Sequence, residues 1–242
     1  MNLAQPGGFS ILPPAIKNLI IINCILYFAT YVFKQIGFVD LNEYLALYHW
    51  KSPYFKPWQF ITHIFMHANL GHLFFNMFAL WMFGNVIENF MGTKRFLFFY
   101  ITCGLGAALL HLLVFSWENY DAIQAVANMS ASELARFNQS LIQYGATTAL
   151  YIPMVGASGA IFGLLFTFGY LYPNLMIYVY FLLPIKAKYF VAIYAVIELI
   201  AGLRGNPADN VAHFAHLGGM LFAYLLLKLW NIRYNQGMYR NL

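Results

Sequence analysis

Val155-Gly156-Ala157-Ser158-Gly159-Ala160-Ile161-Phe162-Gly163 opens an apolar run that continues to Tyr172. From Ala157 to Tyr172 is 16 residues, roughly 24 Å of helix at about 1.5 Å per residue. Crossing the roughly 30 Å hydrocarbon core of a bilayer takes about 20 residues. The run is apolar enough to lie in a membrane and too short to reach across it. Pro173 ends it on one side. Ser158 stands at the other end and is therefore expected below the membrane surface. Polar backbone at that depth has to be satisfied, so the reading requires a water-filled cavity around the serine.

Composition agrees with a membrane setting. The 242 residues are 62% hydrophobic, 19% aromatic and only 9% charged, with mean hydropathy +0.64. A soluble domain is about a quarter charged. A chain this poor in charge cannot cover itself with polar surface, and an all-α, multi-span membrane protein follows. Apolar runs tile it at 17–36, 70–90, 95–115, 157–172, 186–203 and 211–231. That gives a six-helix transmembrane domain over 17–231, a disordered lead-in over 1–16 and a tail over 232–242. The N-terminus lacks a basic segment and a small-residue cleavage site, so the first span is read as a retained anchor.

The net charge is +5, but the basic residues form no stripe, which argues against nucleic acid as a partner. They mark topology instead. Lys17, Lys94, Arg95, Lys186, Lys188, Lys228, Arg233 and Arg240 fall on one side of a six-span arrangement. Lys34, Lys51, Lys56, Arg136 and Arg204 fall on the other, spread over longer loops. This bias predicts cytoplasmic termini, as in a bacterial plasma membrane. Cys24 and Cys103 lie in apolar runs without metal-ligand spacing and are read as buried small residues.

Between the first two spans, residues 37–60 are rich in Tyr, Trp and Phe and are expected half-immersed at the membrane interface. The one long polar insert, 116–152, contains Ser130-x-x-Glu133, a capping box. Leu134, Phe137 and Leu141 follow on one helical face, as in a short amphipathic surface helix.

The chemistry lies in residues far apart in sequence. Serine is a weak nucleophile until a base takes its proton, and histidine is the usual base. His216 occurs in Ala215-His216-Leu217-Gly218-Gly219, inside another apolar run. Gly159 and Gly163 form one small-residue pair, and Gly219 and Ala223 another. Such faces let helix backbones approach closely and could bring Ser158 to His216. His72 and Asn76, spaced i, i+4, share a helix face and could donate hydrogen bonds to an oxyanion, with the Ser158 backbone N–H. No acidic residue in either motif could orient His216: Asp209 is seven residues away and Glu198 is in another span. The reading is therefore a Ser–His dyad without a third member. His213 is the competing base. His63 and His67 are spaced to chelate a metal, but no carboxylate or thiol stands beside them, and both are assigned structural hydrogen bonding. Glu88 is assigned to anchoring helix ends. Glu198 is left without a partner, neutral and hydrogen-bonded.

These residues resemble the rhomboid family of intramembrane serine proteases over about residues 41–230. The resemblance rests on Trp58-Gln59, His67-x4-His72-x3-Asn76, Glu88-x3-Gly92, Gly156-x-Ser158-Gly159 and Ala215-His216-x-Gly218-Gly219, in that order. It implies a six-helix fold with a short central fourth helix and an interfacial first loop. It implies Ser158 as nucleophile, His216 as general base, and His72 and Asn76 at the oxyanion hole, with no cofactor or metal. The implied substrates are transmembrane segments of other proteins, cut near their outer ends at small residues. The family often has Trp-Arg where this chain has Trp58-Gln59, a difference assigned to loop structure. Two other functions fit the composition. One is a catalytically inactive rhomboid-like binder of transmembrane helices, disfavoured because both Ser158 and His216 are present. The other is a histidine-lined transporter, disfavoured because the chain has no repeated half.

Overall fold

A computed structural model describes residues 9–144, 149–179, 182–204 and 212–232. The expected tail beyond Ile232, the first eight residues, and the loop carrying Gly205, Pro207 and Asp209 lie outside the described residues.

The chain is an integral membrane protein of all-α class, with one small β-hairpin. Among the described residues its longer helices are α1 (Pro14–Gln35), α2 (Leu70–Met91), α3 (Thr93–Glu118), α4 (Tyr120–Ala127), α5 (Ala131–Tyr144), α6 (Ser158–Leu171), α7 (Ala187–Arg204) and α8 (His213–Leu229), with two short turns of helix, Leu41–Leu45 and Gln59–Thr62, in the first loop. By length and composition, α1, α2 and α3 can each cross a membrane, and α6 and α8 are shorter apolar helices. The hairpin, β1 (Met176–Val179) against β2 (Leu183–Lys186), joins α6 to α7. The sequence reading did not anticipate it. Ser130 and Glu133 form the expected capping box: the Ser130 N–H donates to Glu133 Oε2 at 2.8 Å.

Pro14 starts α1 in the first helical turn, where its missing N–H is no loss. Residues just before it, expected to be disordered, are tied down. Asn89 exchanges two hydrogen bonds with the backbone of Ser10, and Asn85 and Trp81 donate to the Ile11 carbonyl. Glu88 does the anchoring assigned to it. Its carboxylate accepts from the N–H groups of Ala15 and Ile16, both at 2.9 Å, and from the Thr93 hydroxyl at 2.7 Å. One anion thus caps the positive end of α1 and ties it to α2 and α3. Gly92, at φ +77°, makes the turn between α2 and α3. Midway along α2 the helix widens into a π-turn at Leu80–Gly84.

Ten of the 14 residues of α6 are buried, because α2, α3, α7 and α8 all pack on it. The predicted small-residue contacts form. A side chain on Gly219 would strike the Gly159 carbonyl, and one on Gly163 would lie 2.8 Å from Cys103 Sγ and 3.0 Å from the Gly219 carbonyl. Gly218 similarly faces the Gly106 carbonyl on α3. By contrast, α7 buries only Ala187, Val191 and Glu198. Both cysteines are free.

Candidate active site

Three segments meet at the N-terminus of α6. The strand-like stretch before it is fixed by a two-way backbone bridge between Leu47 and Met154, at 3.0 and 2.8 Å. The Gly156 N–H donates to the His63 carbonyl at 2.9 Å. Gly156 has φ +123°, and an added Cβ there would lie 2.8 Å from His72 Cε1 and 2.9 Å from His72 Nε2. Only glycine allows this backbone so close to the imidazole. The first intrahelical bond of α6 runs from Ile161 N to Ala157 O, so the N–H groups of Ser158, Gly159 and Ala160 precede it at the positive helix end.

Ser158 Oγ lies 2.9 Å from Nε2 of His216. The serine is partly exposed; His216 is buried. The His216 ring stacks on Phe162, one turn after Ser158, with centroids 4.0 Å apart and planes 4° from parallel. His213, the competing base, instead meets Glu198: its Nδ1 is 2.7 Å from Oε2. The same Oε2 is 2.9 Å from Nδ1 of His216, off the line of a directed N–H bond. This overturns two readings of the sequence. Glu198 has partners, two imidazoles, and a carboxylate does stand against His216. The span that carries it, α7, packs along α8, a helix pairing that periodicity does not encode. The available signal was an ionisable residue inside a membrane helix, which is a functional candidate by default. Phe162 was also missed, although i+4 from Ser158 puts it on the same face.

His72 is held by its cap: Asn69 Oδ1 accepts from the His72 N–H at 2.8 Å. Its Cε1–Nε2 edge lies against Gly156, and Ser158 Oγ is also close to that glycine. Asn76 is buried, and its Nδ2 donates to the His72 carbonyl at 2.8 Å, which leaves the amide's second N–H available. A cavity with about 10 Å³ of room for a water centre adjoins Ser158, lined by His63, Gly104, Ala107, Gly156, Gly159 and Ala215. That is space for about one water.

His63 bonds through Nδ1 to the Gln59 carbonyl at 2.8 Å, as assigned. His67 does not: both its ring nitrogens are buried without a hydrogen-bond partner among the described residues, and its ring stands edge-on to His72. Burial lowers both His63 and His67 to about 4, with the His72 charge adding to the effect at His67. Gln59 is wholly buried and bonds the backbone of Tyr54 and Lys56, each at 3.0 Å, so the first loop folds around it. Among the described residues, one group of three could hold a metal, Glu198 with His213 and His216, whose ligand atoms lie within 4.8 Å of one another. The carboxylate already meets both imidazoles there.

The sequence matches the Rhomboid domain over residues 54–231. It is 30% identical over 161 residues to Rhomboid protein 1, mitochondrial, of Saccharomyces cerevisiae, covering 66% of this chain and 38% of the yeast protein. Rhomboid protease GluP of Bacillus subtilis is 30% identical over 172 residues, 71% of this chain and 26% of that one. Rhomboid protease GlpG of Yersinia pestis is 24% identical over 210 residues, 86% of this chain and 61% of that one. The chain thus spans about a quarter to three fifths of the length of these relatives.

Proposed function

Because the chain belongs to the rhomboid family, we propose that it is a serine endopeptidase that hydrolyses peptide bonds in or near transmembrane segments of other membrane proteins. The observation that carries this reading is the 2.9 Å approach of Ser158 Oγ to His216 Nε2. Ser158 attacks the scissile carbonyl carbon while its proton passes to Nε2 of His216. The oxyanion that forms is stabilised by the N–H of Ser158, Nε2–H of His72 and the second N–H of Asn76. His216 then protonates the departing amine, leaving an acyl-enzyme. A water gives its proton to His216, attacks the acyl carbon, and releases the acid as the proton returns to Ser158. The small, glycine- and alanine-lined cavity beside Ser158 supports a preference for small side chains at the cleaved bond.

Loop charge supports both termini on the cytoplasmic side; a C-terminal fusion to a reporter active on only one side tests it. The bacterial plasma membrane expected from that charge gains no support from the mitochondrial name of the yeast relative.

Labelling with a serine-reactive fluorophosphonate in detergent tests the nucleophile. Wild type labels; Ser158→Ala and His216→Ala do not. Labelling retained in Ser158→Ala rejects the assignment. A wild type that neither labels nor cleaves leaves a helix-binding role as the family reading.

A further inference from the structure

We propose that Glu198 is a positioning residue for His216 and makes the hydrolytic unit Ser158–His216–Glu198, an inference that rests on the dyad proposed above. The two ring nitrogens of His216 face opposite partners. Nε2 meets Ser158 Oγ at 2.9 Å, and Nδ1 meets Glu198 Oε2 at 2.9 Å. A neutral imidazole carries its proton on one nitrogen only. The carboxylate beside Nδ1 favours the tautomer with the proton there, which leaves the Nε2 lone pair for the serine proton. In the other tautomer Nε2 is already protonated and cannot act as the base. No other acceptor for His216 Nδ1 occurs among the described residues.

Glu198 also answers the charge that develops. When Nε2 takes the serine proton, the ring becomes an imidazolium, and the carboxylate stands against its far edge. The off-line angle at Nδ1 is the looseness expected before substrate binds. Phe162 holds the plane of the ring by stacking, and Glu198 sets its protonation. The two tasks are separate, which is why one aromatic contact does not substitute for the acid.

The competing account makes Glu198 only a clasp between α7 and α8 through His213, whose Nδ1 lies 2.7 Å away. The two accounts part on which histidine matters. If Glu198 acts through His216, Glu198→Gln lowers kcat while His213→Gln leaves it near wild type. If it only clasps the helices, the two substitutions act alike.

The test is turnover of a transmembrane reporter peptide in proteoliposomes by the full chain. Glu198→Gln is expected to lower kcat ~10²- to 10³-fold with KM within about twofold, less than the ~10⁴ seen when an aspartate in such a triad becomes asparagine, because Phe162 still orients the ring. Glu198→Asp restores at least part of the loss. Wild-type kcat in Glu198→Gln, or an equal fall in His213→Gln, overturns the proposal. A second measurement needs no variant that must fold with an altered α7. Histidine-selective 15N spectra of the wild type, with His216 assigned by difference from His216→Gln, are expected to show the proton on Nδ1. A proton on Nε2 overturns the proposal. A wild type that neither cleaves nor takes up the fluorophosphonate removes the dyad itself, and so is told apart from a failure of Glu198 alone.

Discussion

His216 lies flat on Phe162, ring to ring at 4.0 Å and 4° from parallel, so the residue one turn beyond the serine fixes the plane in which the imidazole meets it. Replacing Phe162 by Leu keeps apolar volume and removes that plane. The expected outcome is a fall in kcat of roughly 10- to 100-fold with little change in KM, because a small misplacement of a catalytic group is that costly. Steady-state kinetics on the reporter peptide, with a melting curve to confirm folding, checks it.

Gly219→Ala would place a methyl against the Gly159 carbonyl. Neither backbone can yield without parting α6 from α8. We expect a loss of about 1–3 kcal/mol, as for an overpacked core, together with loss of fluorophosphonate labelling, since the same contact sets the Ser158–His216 distance. Thermal unfolding in detergent and labelling measured on one sample would decide it. Unchanged labelling would mean that the helices can separate without disturbing the pair.

Asn76→Ala tests the proposed oxyanion donor. The fold should survive, because the side-chain amide bonds a carbonyl of its own helix. Turnover should fall by ~10- to 1000-fold, the range for one such donor. Turnover at the wild-type rate would move Asn76 to a packing role.

Glu88→Ala leaves two N–H groups at the start of α1 and the Thr93 hydroxyl without their acceptor. Because Glu88 is buried, the loss should be roughly 3 kcal/mol, seen as a lower melting temperature. Melting within a degree of wild type would show that water or a neighbour takes over the cap.

Acid should destabilise the protein through His63 and His67. Both titrate lower folded than unfolded, near 4 against an ordinary 6.5, so the unfolded chain takes up protons first. Their contribution is fully present above about pH 6.5 and is lost as pH falls toward 4. Melting temperature against pH should drop across that window and drop less in His67→Phe. A flat profile there would contradict the buried, neutral state of both rings.

How much of this was legible in the sequence follows from what each feature depends on. The Gly156–Ser158–Gly159 turn and the Gly218–Gly219 face state their own geometry, since only small residues permit the approaches they make. The short central helix was legible because its ends are marked by Ser158 and Pro173. Glu198 was not, because its partners lie across an interhelical contact whose angle no local pattern specifies. His67 was assigned a hydrogen bond because no metal-ligating group stands beside it, yet both its ring nitrogens are buried without a partner among the described residues; no local pattern shows whether a buried ring finds an acceptor. The residues just before Pro14 looked disordered from the prolines, yet Asn85 and Asn89 hold Ile11 and Ser10 from a helix more than seventy residues away.

The wide turn at Leu80–Gly84 governs what the two ends of α2 can do at once. Asn76 precedes it and Glu88 follows it. In a regular helix residues so spaced would point about 120° apart, and one surplus residue in a π-turn brings them to within about 20°. Both side chains are buried. Deleting one residue there would straighten the rod yet keep its ends in phase, because eleven regular steps also leave them about 20° apart; winding all twelve as a regular helix is what would turn the amide near the serine away while Glu88 stays clamped to its neighbours.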